Sequence, residues 1–395
     1  MNKRDIEKHL LSMIIETIPL LAKNNDLKNL NSAFYYKKFG NNQIVAMSHD
    51  EKEKLEAPAR FLLSLREISE KYSEKHVDSE LDHCYDLILS DQAGLCKYVR
   101  DFIEGLVNKT AAEFCVISEI ENIEIIDDQP YEFIDSVIKI LRQEDISISF
   151  REVEPHISKI LNQPAIITKV KAAEVGKAQE IALHRFLVSL NLIRLFVPSY
   201  RPALKGSLHT NIQRLMAYNQ AEISFSNRRI GDLLLRRAKM SADLYNEMLR
   251  SGISELKKEN SISTVIKECL YWYGLGLDED YPSARLLNYV TVLESALKKK
   301  DEKTELRRTV AERGAMLLND RFEYRKPILR DLGKIYDLRS KVVHTGALIN
   351  DRRSVSKAGS YARLVLLMLM EESASFHGDF NEFISHIDDL KLGKT

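Results

Sequence analysis

Near the C-terminal end of the sequence, Arg339 and His344 stand five positions apart in "KIYDLRSKVVHTG", residues 334 to 346. A guanidinium offers a planar fork of donors to phosphate oxygens, and an imidazole exchanges protons near neutral pH. On an ideal helix, five positions mean about 7.5 Å of rise and about 140° of rotation. The two side chains therefore do not stack, but a long guanidinium can swing toward an imidazole in the last turn, and together they could border one phosphate-sized site. The same residues also support a purely structural arrangement. In that case Arg339 pairs with Glu294 or Asp337, and His344 caps the last carbonyls ahead of Gly346, a residue suited to a left-handed helix end.

Spacing alone discriminates poorly. With 26 Arg and 10 His in 395 residues, roughly one Arg-x-x-x-x-His is expected by chance. Three occur, from Arg4 to His9, from Arg151 to His156 and from Arg339 to His344. The first lies in a charged N-terminal turn, and the second has Pro155 just before its His, which disrupts a helix. The third ends a helix that Ile335, Leu338, Val342 and Val343 are expected to anchor in a core, which would hold its pair rigidly.

Other candidates are weaker. His49 and Asp50 in "SHDEKEK" lack the further ligands a metal hydrolase needs and read as a surface turn. Tyr271, Trp272 and Tyr273 either stack bases or pack a junction between domains. Arg228, Arg229, Arg236 and Arg237 form a basic cluster, either for phosphates or as a solvated face. Cys84, Cys96, Cys115 and Cys269 are scattered without a CxxC pair, which points to a reduced, cytoplasmic protein with no metal or cofactor.

The elements that must position these residues read as mainly α with a minor β component. The chain is 44% hydrophobic and 29% charged, with only 15 Gly and 9 Pro, and its apolar residues recur mostly at helical spacing. "LLSMIIETIPLLA" (10–22) superficially resembles a secretion signal, but Glu16 interrupts it, and an amphipathic core helix is expected. No apolar run approaches the roughly 20 residues that span a bilayer.

Three regions are expected: a helical 1–110, a mixed α/β 111–280 and a helical bundle 281–395. In the second, "EFCVISEIENIEII", "DISISFREV" and "AIITKVKA" are short and rich in Ile and Val, as strands are. A long helix then runs through "GKAQEIALHRFLVSLNLIRLF" toward Pro198. It is followed by irregular or strand-like "RLMAYNQAEISFSNRR" and by helix from Ile230 to about Leu256. "YWYGLGLDEDYPSA" reads as a junction, with Pro282 in the first turn of the next helix. Leu286, Leu287, Val290, Leu293 and Leu297 mark the buried side of that helix. Helices over 305–318, 327–344 and 355–376 complete the bundle. Net charge is zero, but residues 298 to 357 hold 17 Lys and Arg against 9 Asp and Glu, a basic region suited to a polyanion.

"LLNYVTVLESAL", followed about forty residues later by "IYDLRSKVVHTG" and a long apolar helix, resembles the C-terminal helical domain of Apea-like HEPN proteins over residues 283 to 378. HEPN domains are helical bundles that often pair two-fold, and many are metal-independent endoribonucleases of toxin, abortive-infection and antiviral systems. The resemblance implies His344 as acid/base, Arg339 as phosphate contact and Glu294 as orienting carboxylate. It also implies a homodimer through the C-terminal bundle and RNA as substrate, cut by its own 2′-OH to a 2′,3′-cyclic end. The basic region would add contacts from Arg307, Arg308 and Lys341, and the N-terminal part would answer a regulatory protein or phage-derived trigger. The alternative is a non-catalytic HEPN scaffold for dimerisation or binding.

Overall fold

The protein is described by a computed structural model over residues 2–23, 35–38, 44–89, 95–146, 160–197, 202–204, 206–207, 212–218, 223–229, 238–250, 256–258 and 260–391. It is mainly helical with a minor β component, as its periodicity predicts. Contacts divide it into two compact units, Met1–Val116 with Lys169–Ile181 and Ala217–Ser224, and Ile117–Thr168 with Ala182–Met216 and Phe225–Thr395.

The first unit contains helices α1 (Lys3–Lys23), α2 (His49–Ser64), α3 (Arg66–Ser69), α4 (Glu74–Leu89) and α5 (Leu95–Asn108). Leu10, Ile14, Leu62, Tyr72, Tyr85 and Ile103 share its core, so the stretch from Leu10 contributes a buried helix face. The sequence did not suggest the hairpin of β1 (Tyr35–Lys38) and β2 (Ile44–Met47) inside this helical region. His49 and Asp50 do not form a surface turn. Ser48 and Glu51 close a capping box, Glu51 N–H to Ser48 Oγ at 3.3 Å and Ser48 N–H to Glu51 Oε2 at 2.8 Å, and the two residues open α2.

The strands in chain order are β3 (Ala112–Glu121), β4 (Ile123–Ile125), β5 (Tyr131–Phe133), β6 (Ser136–Ile140), β7 (Pro164–Ala172), β8 (Ala203–Leu204), β9 (Gly206–Ser207), β10 (Ile212–Tyr218), β11 (Ile223–Arg229) and β12 (Ala238–Met240). One sheet has the order β11-β10-β3-β7-β6-β5. The pairings of β6 are antiparallel, with Tyr131 opposite Ile138 and Ile138 opposite Ile166. The strands expected from 113 and from 165 are present, whereas residues 147–153 of "DISISFREV" lie outside the described residues. The helix expected from Ile230 to Leu256 is corrected: among the described residues of this span, Ala238–Met240 is a strand parallel to Ile123–Ile125, and the α-helix is α7 (Ala242–Arg250). Met240 is fully buried, so tertiary burial decides the state of a segment whose pattern allowed either.

The second unit also holds most of α6 (Val175–Phe196), which ends where Pro198 predicts, and the helices α8 (Ser261–Asp278), α9 (Pro282–Leu297), α10 (Leu306–Leu318), α11 (Phe322–Thr345), α12 (Arg352–Ser375) and α13 (Phe380–Lys391). "YWYGLGL" is not a junction but the last turns of α8. Its glycines serve close approach, since a Cβ on Gly274 would lie 2.0 Å from Asn191 Nδ2 and one on Gly276 would lie 2.5 Å from the Tyr289 ring. Pro282 does occupy the first turn of α9. The bundle takes in α8, upstream of residue 281, because α8 packs on both α9 and α12.

Helix α9 is the centre of the bundle and touches α8, α10, α11 and α12. It buries Leu286, Val290, Leu293 and Leu297. A guanidinium secures one edge. Arg313 donates to Asp388 Oδ1 and Oδ2 at 2.8 Å each, to Glu302 Oε2 at 2.6 Å and Oε1 at 3.2 Å, and to the Leu297 carbonyl at 2.9 Å. These bonds tie α10 to α13 and to the end of α9.

Candidate active site

Helix α11 carries Arg339 and His344. Its apolar residues are less complete as anchors than expected: Leu332 and Ile335 are buried and Leu338 and Val342 half-buried, but Val343 is 49% exposed. Positions 335, 338 and 342 fall within about 60° of one another, and 343 is rotated about 100° from 342. The helix runs through His344 to Thr345 and closes at Gly346, with φ at 65°, whose N–H bonds to the Val342 carbonyl at 3.1 Å. Thr345 Oγ1 donates to the Lys341 carbonyl at 2.7 Å. Gly346 thus fills the capping role that the structural arrangement assigned to His344. The imidazole stands exposed in the last turn and makes no hydrogen bond among the described residues.

Arg339 is held from two sides. Its Nε lies 3.6 Å from Glu294 Oε1 on α9, with side-chain exposures of 28% and 18%. Its guanidinium sits 5.7 Å from the centre of the Tyr336 ring, one turn earlier on α11, within reach of a cation–π contact. At 3.6 Å the Arg339–Glu294 contact is a charge pair, not a hydrogen bond, and Glu294 Oε1 is buried with no hydrogen-bond partner among the described residues. Burial and the facing Glu294 carboxylate push the Tyr336 hydroxyl pKa up, against the opposing charge of Arg339. Because the pair engages Arg339 through Nε, its terminal nitrogens can face an oxyanion.

Arg339, Ser340 and His344 line one groove of about 400 Å³ with Lys303, Arg307, Arg308 and Tyr336. Arg307 and Arg308, expected from the basic region, are therefore beside the pair, but both are already matched. Arg307 makes a bidentate contact to Asp337, Nε to Oδ1 at 2.6 Å and Nη2 to Oδ2 at 2.9 Å, and Arg308 pairs with Glu305. Asp337, which the sequence offered as a partner for Arg339, is taken by Arg307 instead. The Arg307 hydrogen bonds hold the Asp337 carboxyl below the usual carboxylate range, with further help from Lys341. These exposed pairs contribute little to stability; their effect is to temper the positive field. Lys341 is exposed on α11 outside the groove lining.

Tyr336, Lys303 and Ser340 were not singled out from sequence. Tyr336 had a signal, since it lies three positions before Arg339 and so on the same helix face. Lys303 was one of several lysines in a charged run, and Ser340 had none.

The remaining candidates fall elsewhere. Arg4 and His9 are both on α1, where the His9 ring meets Phe61 at 4.6 Å, and Arg151 and His156 are outside the described residues. Tyr273 is buried in α8 and Tyr271 stacks on His184 at 5.5 Å, so these rings pack the interior. Arg228 and Arg229 end β11, while Arg236 and Arg237 are outside the described residues. Among the described residues no three His, Cys, Asp or Glu side chains gather as metal ligands would, and no helix is long and apolar enough to cross a membrane. No protein-family profile, curated protein or solved structure matches this chain.

Proposed function

We propose that this chain is a metal-independent endoribonuclease of the HEPN type. His344 takes the proton from a ribose 2′-OH, and the hydroxyl oxygen attacks the adjacent phosphorus. Arg339 stabilises the charge that builds on the phosphate oxygens, and the 5′-oxygen leaves, producing a 2′,3′-cyclic phosphate and a 5′-hydroxyl end. Glu294 and Tyr336 orient Arg339, and Lys303, Arg307 and Arg308 attract the polyanion. The leaving oxygen takes its proton from a second imidazole, supplied by His344 of another copy in a homodimer formed through residues 283 to 378, which turns a shallow groove into a two-sided cleft. The resemblance to Apea-like HEPN proteins extends this to a cytoplasmic toxin or anti-phage effector whose N-terminal unit answers a regulatory protein or phage-derived trigger.

The observation that carries the reading is the support of Arg339 by Glu294 and Tyr336 on rigid helices, beside an imidazole left exposed on the same groove. The test is incubation of purified wild type and His344→Ala with mixed RNAs, and with an RNA whose 2′-OH at a mapped cleavage point is replaced by hydrogen. Cleavage by wild type alone, lost at the deoxy position and declining on dilution, is expected. Equal cleavage by both proteins, or continued cutting at the deoxy position, overturns it. A folded, dimeric and inactive protein would instead favour a scaffold in which Arg339–Glu294 is a structural pair.

A further inference from the structure

A second cavity in the second unit is separate from the Arg339–His344 groove. It is a cleft of about 770 Å³ between α8, α9 and α12, within the span of about 300–1,000 Å³ usual for small-molecule sites. Arg285, Arg352 and Arg363 lie on its wall, opposed by the carboxylate of Asp280. Arg285 Nε donates to the Glu279 carbonyl and Arg363 Nε to the Leu195 carbonyl, each at 2.6 Å. Tethering through Nε to uncharged carbonyls fixes both guanidinium planes and leaves their terminal nitrogens without an ion pair among the described residues. None of the three makes an ion pair with a carboxylate among the described residues, in contrast to Arg307, Arg308 and Arg313 in the same bundle.

The floor has a different chemistry. Leu277, Val355 and the ring of Tyr289 supply apolar surface, and Gly359 keeps it open. A Cβ on Gly359 would lie 2.9 Å from the Tyr289 ring, which is pressed from its other side by Gly276. Arg352, Ser356, Gly359 and Arg363 repeat at helical spacing along one face of α12, with the backbone positions of the two arginines about 16 Å apart along the axis and small residues between. A cleft with fixed cations at its margins and an apolar floor matches a ligand that joins a multiply charged phosphate to a planar apolar body. From these features we infer that this cleft binds a nucleoside polyphosphate, with Arg285, Arg352 and Arg363 contacting the phosphates. The inference stands independently of RNA cleavage.

Calorimetric titration of the full chain with ATP, AMP, pyrophosphate and adenosine tests it. Saturable ATP binding is expected, weaker binding of AMP and pyrophosphate, and none of adenosine. Arg285 and Arg363 also bond the backbone, so the decisive variants are Arg352→Glu and Ser356→Glu, both at exposed positions. Each should weaken ATP binding at least tenfold with an unchanged circular dichroism spectrum and melting temperature. The proposal is overturned if millimolar ATP gives no saturable heat, if adenosine binds as tightly as ATP, if both variants keep wild-type affinity, or if only an RNA oligonucleotide binds through this cleft.

Discussion

Replacing Arg313 by Leu should be among the most damaging single changes in the helical bundle. The guanidinium is 6% exposed and makes five hydrogen bonds, four to carboxylate oxygens of Asp388 and Glu302 and one to the Leu297 carbonyl. Breaking a buried pair by removing one member costs about 3–5 kcal/mol, chiefly because the remaining charges are stranded. Here the stranded carboxylates keep side-chain exposures of 23% and 36% and can recover water, and Lys299 lies 3.8 Å from Asp388. The expected cost therefore sits near the low end, about 3 kcal/mol. It is read as a fall in the denaturant midpoint at constant slope in circular dichroism at pH 7. The triple change Arg313→Leu, Glu302→Gln, Asp388→Leu should recover most of that loss, since no carboxylate is then stranded and Lys299, the partner of Asp388, is exposed enough to be solvated.

The same contact fixes the pH dependence. Burial alone would raise the Asp388 pKa, but the hydrogen bonds and charge of Arg313, with Lys299 and Lys391, outweigh it and hold the carboxyl below its usual range. A group with a depressed folded pKa contributes its full stability above the unfolded pKa and loses it as pH falls through the folded one. The gap between wild type and Arg313→Leu should thus be widest at neutral pH and narrow in strong acid. A single variant within about 0.5 kcal/mol of wild type, or a gap that widens in acid, would refute the reasoning.

Two further outcomes test the site and the packing. Glu294→Gln keeps the shape of the Arg339 partner but removes its charge, so RNA cleavage should fall about tenfold at unchanged fold, the equivalent of about 1.4 kcal/mol of lost positioning; full activity in gel-resolved cleavage assays would dismiss Glu294 as the orienting group. Gly276→Ala should destabilise by about 1–3 kcal/mol because its Cβ would meet the Tyr289 ring at 2.5 Å. Gly105→Ala in α5, with nothing within 4 Å of the added carbon, should be neutral or gain a few tenths in the same melting experiment.

The sequence was readable where one helix face decides the outcome. The buried series Leu286, Val290, Leu293 and Leu297, Pro282 in the first turn of α9 and the left-handed Gly346 all follow from local rules. It was misleading where a residue type has two uses. The glycines of "YWYGLGL" resemble a break, yet they occupy a helix because Asn191 and Tyr289, distant in sequence, need the space. Ala238–Met240, expected in a helix, pairs instead with Ile123–Ile125, a partner more than a hundred residues away. In the candidate site, Arg339, Glu294, Arg307 and Arg308 were legible by type and neighbourhood. The selection of Arg307 over Arg339 by Asp337 depends on side-chain geometry across α10 and α11, which no one-dimensional pattern records.

The continuity of α11 through His344, ending only at Gly346, bears on how this chain can diverge. Insertion or deletion of one residue between Arg339 and His344 would turn the imidazole by about 100° around the axis, to about 40° from the guanidinium after a deletion and to about 120° on its opposite side after an insertion, and would rotate every later residue of the helix with it. Beyond Gly346 the chain leaves the helix before Arg352 begins the next one, and length changes there leave the pair in phase. Descendants of this sequence that keep the groove should therefore accept changes of length in the connection after Gly346 more readily than within the helical interval from Arg339 to His344.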